Sequence, residues 1–272
     1  PRLASGEMIA AFCLTETGSG SDAASIRTRA DKNPDGSWTL NGEKIWITNG
    51  GIADFYTVFA RTEGESGKIS AFIVERDWDG VATGAKEDKM GLRASDTTDL
   101  IFDDCRVPAD HLLGQEGDGF KLAMTALDGG RIGISAQSIG VAQAALDASI
   151  SYAKQRSQFG QKIAKFQGLR WMIADMATEL EAARQLTMSA AAMKDQGTRY
   201  TRQASMAKLF ASEMVNRVTA KAIQIHGGYG FTKDYEVERY YRDARVFTIY
   251  EGTSEIQRVV ISNHLLKDKR TP

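Results

Sequence analysis

ASMAKLFASEMVNRVTAKAIQI, residues 204–225, reads as one long helix with a single inward face. Ala204, Ala207, Ala211, Met214, Val218, Ala222 and Ile225 recur at spacings of three and four, the repeat that lines up side chains on one stripe of an α-helix. Upstream, Leu169, Met172, Ile173, Met176, Leu180 and Ala183 form a second stripe, and Ile139, Ala142, Leu146 and Ile150 share a third. No proline occurs from Ala109 through Thr271, as long helices require. The periodicity breaks near 156–168, at Gly197 and at Gly227-Gly228. The spacing therefore predicts three long helices, with shorter ones after Lys233, in an antiparallel four-helix-type bundle.

The earlier part follows a different pattern. Ser37-Trp38-Thr39-Leu40 leads into the turn signal Asn41-Gly42, and Lys44-Ile45-Trp46-Ile47-Thr48 resumes an extended alternation. Residues 55–61, 68–75 and 99–102 are further β-rich runs between Gly and Asp clusters. Short strands with frequent turns predict a small barrel or sandwich. The fold class is thus α+β and multi-domain: a β-domain over 1–110 followed by a helical bundle over 117–272.

Composition narrows the function. The chain of 272 residues has 42% hydrophobic and 25% charged residues, ordinary for a globular protein with well-buried cores. A net charge of -1 gives no electrostatic reason to expect nucleic acid or an anionic membrane as a partner. No apolar run approaches the roughly 20 residues that span a bilayer. Cys13 and Cys105 make no disulfide framework, and three His spread along the chain give no metal-ligand cluster.

Five segments place glycine, hydroxyl and aromatic groups where a regular core has no use for them. FCLTETGSGSD, 12–22, is a strand running into a Gly/Ser loop whose Gly18 and Gly20 permit close approach to a ligand. WITNGG, 46–51, puts Trp46 and Thr48 on one face of a strand, suited either to stacking on a planar ring or to the core. RSQFG, 156–160, sits in a connector between helices, where an Arg either pairs with phosphate or is simply exposed. QIHGGYGF, 224–231, combines helix C-cap chemistry with room for a ligand. YEGTSEIQ, 250–257, is a flexible turn in which Thr253 or Ser254 caps the next helix. Glu251 there is either a solvated surface carboxylate or a general base facing a cleft.

Together these segments resemble the acyl-CoA dehydrogenase family of flavoproteins, in the family's order and at similar separations. The resemblance runs from Phe12 to Leu266. It implies FAD as cofactor, lying between the β-domain and the C-terminal helices and completed by a neighbouring subunit. By matching motifs, Phe12, Leu14, Thr15, Ser21, Trp46, Ile47 and Thr48 would contact the flavin. Arg156, Phe159, Gln167, Gln224, Gly227 and Gly228 would meet its pyrophosphate and adenosine part from the partner subunit. Thr253 and Glu255 would lie near its phosphates and ribose. Ser21, Asp128, Arg131, Tyr250 and Gly252 match positions that line the acyl-CoA site, and Glu251 matches the catalytic base.

The same resemblance implies electron-transferring flavoprotein as redox partner and a homotetramer built as a dimer of dimers. It also implies a cytoplasmic location for a bacterial member and the mitochondrial matrix for a eukaryotic one. Some members carry the base on the long helix, just before the Arg matching Arg131; that position here is Gly130. DGGRIGISAQ, 128–137, looks more like the short-chain or short-branched-chain enzymes. The family's helical N-terminal domain has no counterpart in this chain. Two alternatives stay open at this point: an acyl-CoA oxidase, and an FAD-binding or oligomerisation scaffold without turnover.

Overall fold

The computed structural model describes residues 1–63 and 67–266. It divides into two compact units, Pro1–Ala126 and Leu127–Pro272. The first opens with a one-turn helix α1 (Arg2–Ser5). Eight strands follow: β1 (Ala10–Cys13), β2 (Arg29–Lys32), β3 (Trp38–Thr48), β4 (Phe55–Arg61), β5 (Ile69–Glu75), β6 (Val81–Thr83), β7 (Thr97–Val107) and β8 (Leu112–Leu113). The expected barrel or sandwich takes the form of one mixed sheet in the order β6-β7-β3-β2-β4-β5-β8, with β1 pairing in parallel with β4.

FYTVFAR and ISAFIVE, rich in β-branched and aromatic residues, pair antiparallel from Phe55↔Glu75 to Arg61↔Ile69. Tyr56, Val58, Phe72 and Val74 from these strands join Trp38, Leu40, Leu100 and Phe102 in the core, where the Trp38 and Phe72 rings meet edge-on at 5.3 Å.

One sequence expectation fails here. Asn41-Gly42 does not turn; β3 runs straight through it, and the register against β7 shifts between Leu40 and Gly42. Asn41 spends its amide across the ladder, donating to Asp104 Oδ1 at 3.0 Å and accepting from Asp104 N at 2.9 Å. Gly42 is required by proximity, since a Cβ there would lie 2.7 Å from Thr28 Cα. The dipeptide marks a bulge, the other use of glycine in a strand.

A buried ion pair fixes the Gly/Ser loop within this unit. Lys44, wholly buried, donates to Glu16 Oε1 at 2.7 Å and to Leu14 O at 3.2 Å. Glu16 also accepts from Arg27 N and Thr28 N, so every lone pair it presents inward is used. Cys13 and Cys105 are both free and buried, and burial pushes the Cys105 thiol up to about 11.

In the second unit the long helix α2 (Gly119–Gln155), which starts at the end of the first, is followed by a hairpin of β9 (Ser157–Gln158) and β10 (Gln161–Lys162). Then come α3 (Gln167–Asp195), α4 (Thr201–His226), α5 (Val237–Ala244) and α6 (Ser254–Leu266). The breaks fall where the periodicity stopped. Thr201 bonds Asp128, Arg131 bonds Ser205 and Tyr152 stacks on His226, so α2 and α4 run parallel. Arg184 to Gln143 and Arg217 to Glu179 set α3 antiparallel to both. All seven residues of the α4 stripe are buried, whereas Leu169, Met172 and Ile173 of the α3 stripe are half-buried.

Candidate functional site

The centre of interest in the second unit is the turn before α6. Glu251 has φ +54 and Gly252 φ +87, two consecutive left-handed residues, of which only the glycine adopts that backbone without cost. The turn is held from inside. Lys208 Nζ donates to Gly252 O at 2.7 Å, while Gln257 Nε2 donates to Glu251 O at 3.1 Å and to Gly252 O at 2.9 Å. Thr253 caps α6, its Oγ1 accepting from Ile256 N at 3.3 Å. Any side chain on Gly252 would meet Gln257 Nε2 at 2.7 Å, which explains the glycine a second time.

The Glu251 carboxylate lies against α2. A Cβ built on Gly130 would stand 2.5 Å from Glu251 Oε2 and 3.0 Å from its Cδ. A side chain at position 130 and the carboxylate of Glu251 therefore compete for one volume. Burial raises the Glu251 carboxyl above the usual carboxylate range, opposed by the charges of Arg131 and Lys208. Burial likewise lowers Lys208 to about 8 and lowers Arg131, with Glu251 among the charges pulling each back. One carboxylate thus faces two buried cations.

Of the residues expected beside it, Asp128, Arg131, Tyr250 and Gly252 belong to this unit, whereas Ser21 belongs to the first. Arg131 is buried, donating from Nη1 to Asp128 Oδ1 at 2.6 Å and to Ser205 Oγ at 3.4 Å, while its Nε has no partner among the described residues. Tyr250 donates to Gln137 Oε1 at 2.7 Å and stacks on Phe247, and burial raises its phenol. Glu255 is exposed, held low by its own backbone N–H and by the Thr253 hydroxyl. Lys208, Gln257 and Gln137 escaped the sequence reading. Lys208 had left a signal: it falls at i+4 from Ala204 and i−3 from Ala211, a charge on the core stripe.

A second cluster sits at the far end of α2. Arg156 lies over the Tyr229 ring at 5.5 Å, and Tyr152, His226 and Tyr235 pack ring on ring beneath it. Phe159, at φ +50 beside Gly160 at φ +74, tips the β9–β10 hairpin with 93% of its surface exposed. Gln167 is exposed at the start of α3 and Gln224 in the last turn of α4, where Gly227 and Gly228 have open space around them. At 1.5 Å per residue, α2 carries the chain about 38 Å from Gly130 to Gln155. The Glu251 turn and the Arg156 cluster are therefore separate places.

In the first unit, Trp46 is held at φ +59 with 58% of its surface exposed, next to a register shift in β3. Thr48 and Ser21 are exposed, Thr15 is half-buried, and Phe12 is exposed at its edge while packing on Phe59 at 4.9 Å. Ile45 N donates to Thr15 O at 2.9 Å, tying the loop to the strand that presents Trp46. Ile47 and Leu14 have side chains buried in the core, so each would meet a ligand through its backbone. Among the described residues no cluster of His, Cys, Asp and Glu could hold a metal, and no helix is long and apolar enough to cross a membrane.

Comparison with known proteins gives these places a context. Residues 11–105 match the family described as acyl-CoA dehydrogenase, middle domain, and residues 117–266 match acyl-CoA dehydrogenase, C-terminal domain. An acyl-CoA dehydrogenase of Bacillus subtilis is 55% identical over 268 residues, covering 98% of this chain and 70% of the relative. The solved butyryl-CoA dehydrogenase of Megasphaera elsdenii superposes with a TM-score of 0.96 at 50% identity, covering 98% of this chain and 70% of that one. An acyl-CoA dehydrogenase of Bacillus anthracis, solved in complex with FAD, reaches a TM-score of 0.94 at 40% identity, over 98% of this chain and 49% of that one. With both halves matched in order and the Bacillus subtilis relative covered over 70% of its length, this chain belongs to the acyl-CoA dehydrogenase family of oxidoreductases.

Proposed function

We propose that the chain catalyses FAD-dependent α,β-dehydrogenation of a short acyl-CoA thioester to the trans-2-enoyl thioester, with Glu251 removing the α-proton. The supporting observation is the Glu251 turn, a single carboxylate in a half-buried left-handed bend, flanked by Arg131 and Lys208. A proton next to a thioester carbonyl is weakly acidic, so its base works best with a pKa near the operating pH. Burial raises Glu251 in that direction, and the two cations keep its ionised form accessible. The resemblance assigns the Glu251 N–H to the thioester oxygen, where negative charge develops. With the carbonyls of residues 251 and 252 tied to Lys208 and Gln257, the turn does not swing as that charge forms.

The residues present fit FAD. On the first unit, Trp46 and Phe12 offer aromatic surface beside the hydroxyls of Thr15, Ser21 and Thr48. No atom lies within 4 Å of a Cβ built on Gly18 or Gly20, so the loop backbone is open to close approach. On the second unit, Arg156, Phe159, Gln167, Gln224, Gly227 and Gly228 would receive the nucleotide end, with Thr253 and Glu255 a separate pair at the α6 turn. When bound, FAD accepts the β-hydrogen as hydride.

The distance along α2 separates the Arg156 cluster from the Glu251 turn, so we assign that cluster to the cofactor of another copy. A site shared in this way needs at least two copies, and the family resemblance extends that to a homotetramer, a dimer of dimers, with electron-transferring flavoprotein as electron acceptor. The short-chain assignment is supported by the small residues of DGGRIGISAQ, of which Gly130 faces Glu251, and by the likeness to a butyryl-CoA dehydrogenase.

The test is Glu251→Gln in FAD-loaded protein. The variant is expected to keep FAD yet resist anaerobic bleaching by butyryl-CoA; substantial residual dehydrogenation would remove Glu251 from the base position.

A further inference from the structure

Among the inward residues of α4, Lys208 is out of character. Ala204, Ala207, Ala211 and Met214 surround it on the buried face, and it is itself wholly buried. An ammonium in such a place is costly unless it is paired and hydrogen-bonded. Small neighbours leave a path for its four-carbon stem, and the stem ends on the Gly252 carbonyl at 2.7 Å. That carbonyl belongs to a bend whose non-glycine residue, Glu251, has φ +54 and persists only because its surroundings hold it.

We propose that Lys208 is a positioning residue for the base: it pins the Glu251–Gly252 bend through the Gly252 carbonyl and, beside Arg131, brings a second positive charge to the turn that carries Glu251. The proposal rests on Glu251 as the base. Gln257 shares the mechanical part, holding the same carbonyl at 2.9 Å, but carries no charge. Lys208 alone does both.

The charges around the pair come from three helices. From α2, Arg131 faces Glu251 but is shared with Asp128, at 2.6 Å. From α4 itself, Glu213 acts on Lys208, and from α6, Glu255 does. Both Glu213 and Glu255 are also engaged by Arg258, at 3.4 and 3.8 Å, which weakens their hold on Lys208. Glu251 acts on Lys208 more strongly than either of them. The ammonium and the carboxylate each favour the charged form of the other.

Two variants separate the roles. Lys208→Met keeps the length of the stem and removes both donor and charge; Lys208→Gln keeps an N–H donor and removes the charge. In FAD-loaded protein with butyryl-CoA, Lys208→Met is expected to lose about ten- to a hundredfold in kcat, with KM changed far less, because the base is displaced rather than the substrate. The acid limb of its kcat profile moves to higher pH, since one of the two cations opposing burial is gone. The same upward shift is expected in the carboxyl titration of Glu251, followed by carbon NMR of glutamate-labelled protein. That resonance is identified by its loss in Glu251→Gln.

This titration needs no turnover, so it stands even if Glu251→Gln remains active and the base assignment falls. Lys208→Gln should show the full upward shift with a smaller loss in kcat. If Lys208→Met does not fold, the Lys208→Gln titration decides alone. An unmoved Glu251 titration in Lys208→Gln overturns the counter-charge, and an undiminished kcat in a folded Lys208→Met overturns the positioning role.

Discussion

Gly130→Ala tests the geometry of the base with the smallest change available. The new Cβ would start 2.5 Å from Glu251 Oε2 and 3.0 Å from Cδ, well inside ordinary contact. To regain such contact the carboxylate must retreat by roughly 0.9 Å. The atoms displaced are the far end of a side chain, so neither α2 nor the turn needs to move. Meanwhile alanine in a helix interior gains about 1 kcal/mol over glycine, which offsets part of the crowding. The protein should therefore keep its melting temperature and its FAD.

A misplacement of this size at the reacting centre costs on the order of a hundredfold in rate, equivalent to about 2.7 kcal/mol of barrier. The assay is steady-state kcat with butyryl-CoA and an electron-accepting dye, alongside thermal unfolding and flavin absorbance. A kcat within twofold of the parent, with FAD retained, would refute the placement of Glu251 against α2.

In Glu251→Gln, linkage gives a sign for stability as well as activity. A carboxyl raised in the folded state binds more protons there than when unfolded, so its ionisation lowers stability as pH rises through the folded value. The melting temperature of the variant minus that of the parent should thus grow from pH 4 to pH 8; a gap independent of pH contradicts the raised carboxyl. Phe159→Ser changes a ring that is 93% exposed, so unfolding should shift by no more than about 0.5 kcal/mol. FAD retention, read by flavin fluorescence after dialysis, should fall, and unchanged retention removes Phe159 from the cofactor site. Lys44→Met leaves Glu16 buried without its cation and should cost about 3–5 kcal/mol in chemical denaturation; a cost below 1 kcal/mol would mean that water reaches Glu16.

The helical half was the more legible one because its signal is redundant. Seven residues of α4 repeat at three and four, and all seven are buried. The α3 stripe was read with equal ease, yet Leu169, Met172 and Ile173 are only half-buried in this unit. Periodicity reports which face is apolar, not what covers it. In the sheet, Asn41-Gly42 misled because the same dipeptide serves a hairpin and a bulge, and the choice between them rested on Thr28 and Asp104, far away in sequence. At the site, Glu251, Tyr250 and Gly252 were found through a contiguous motif. Gln257 ends that same motif, but Gln137 and Lys208 reach the turn through side chains from two other helices, a convergence that local spacing cannot express.

The Lys44–Glu16 pair bears on how this protein can be engineered. Buried ion pairs are seldom the most stable filling for the space they occupy; two well-packed apolar side chains often do as well or better. Replacing both residues with leucine and methionine could therefore yield a more heat-resistant first unit. It would also release Leu14 O and the amides of Arg27 and Thr28, the groups through which the pair holds the Gly/Ser loop. Screening by melting temperature alone would then favour variants whose loop has lost its anchor. For this unit, thermostability and readiness to receive a ligand are separate objectives, and a stabilisation campaign has to score both.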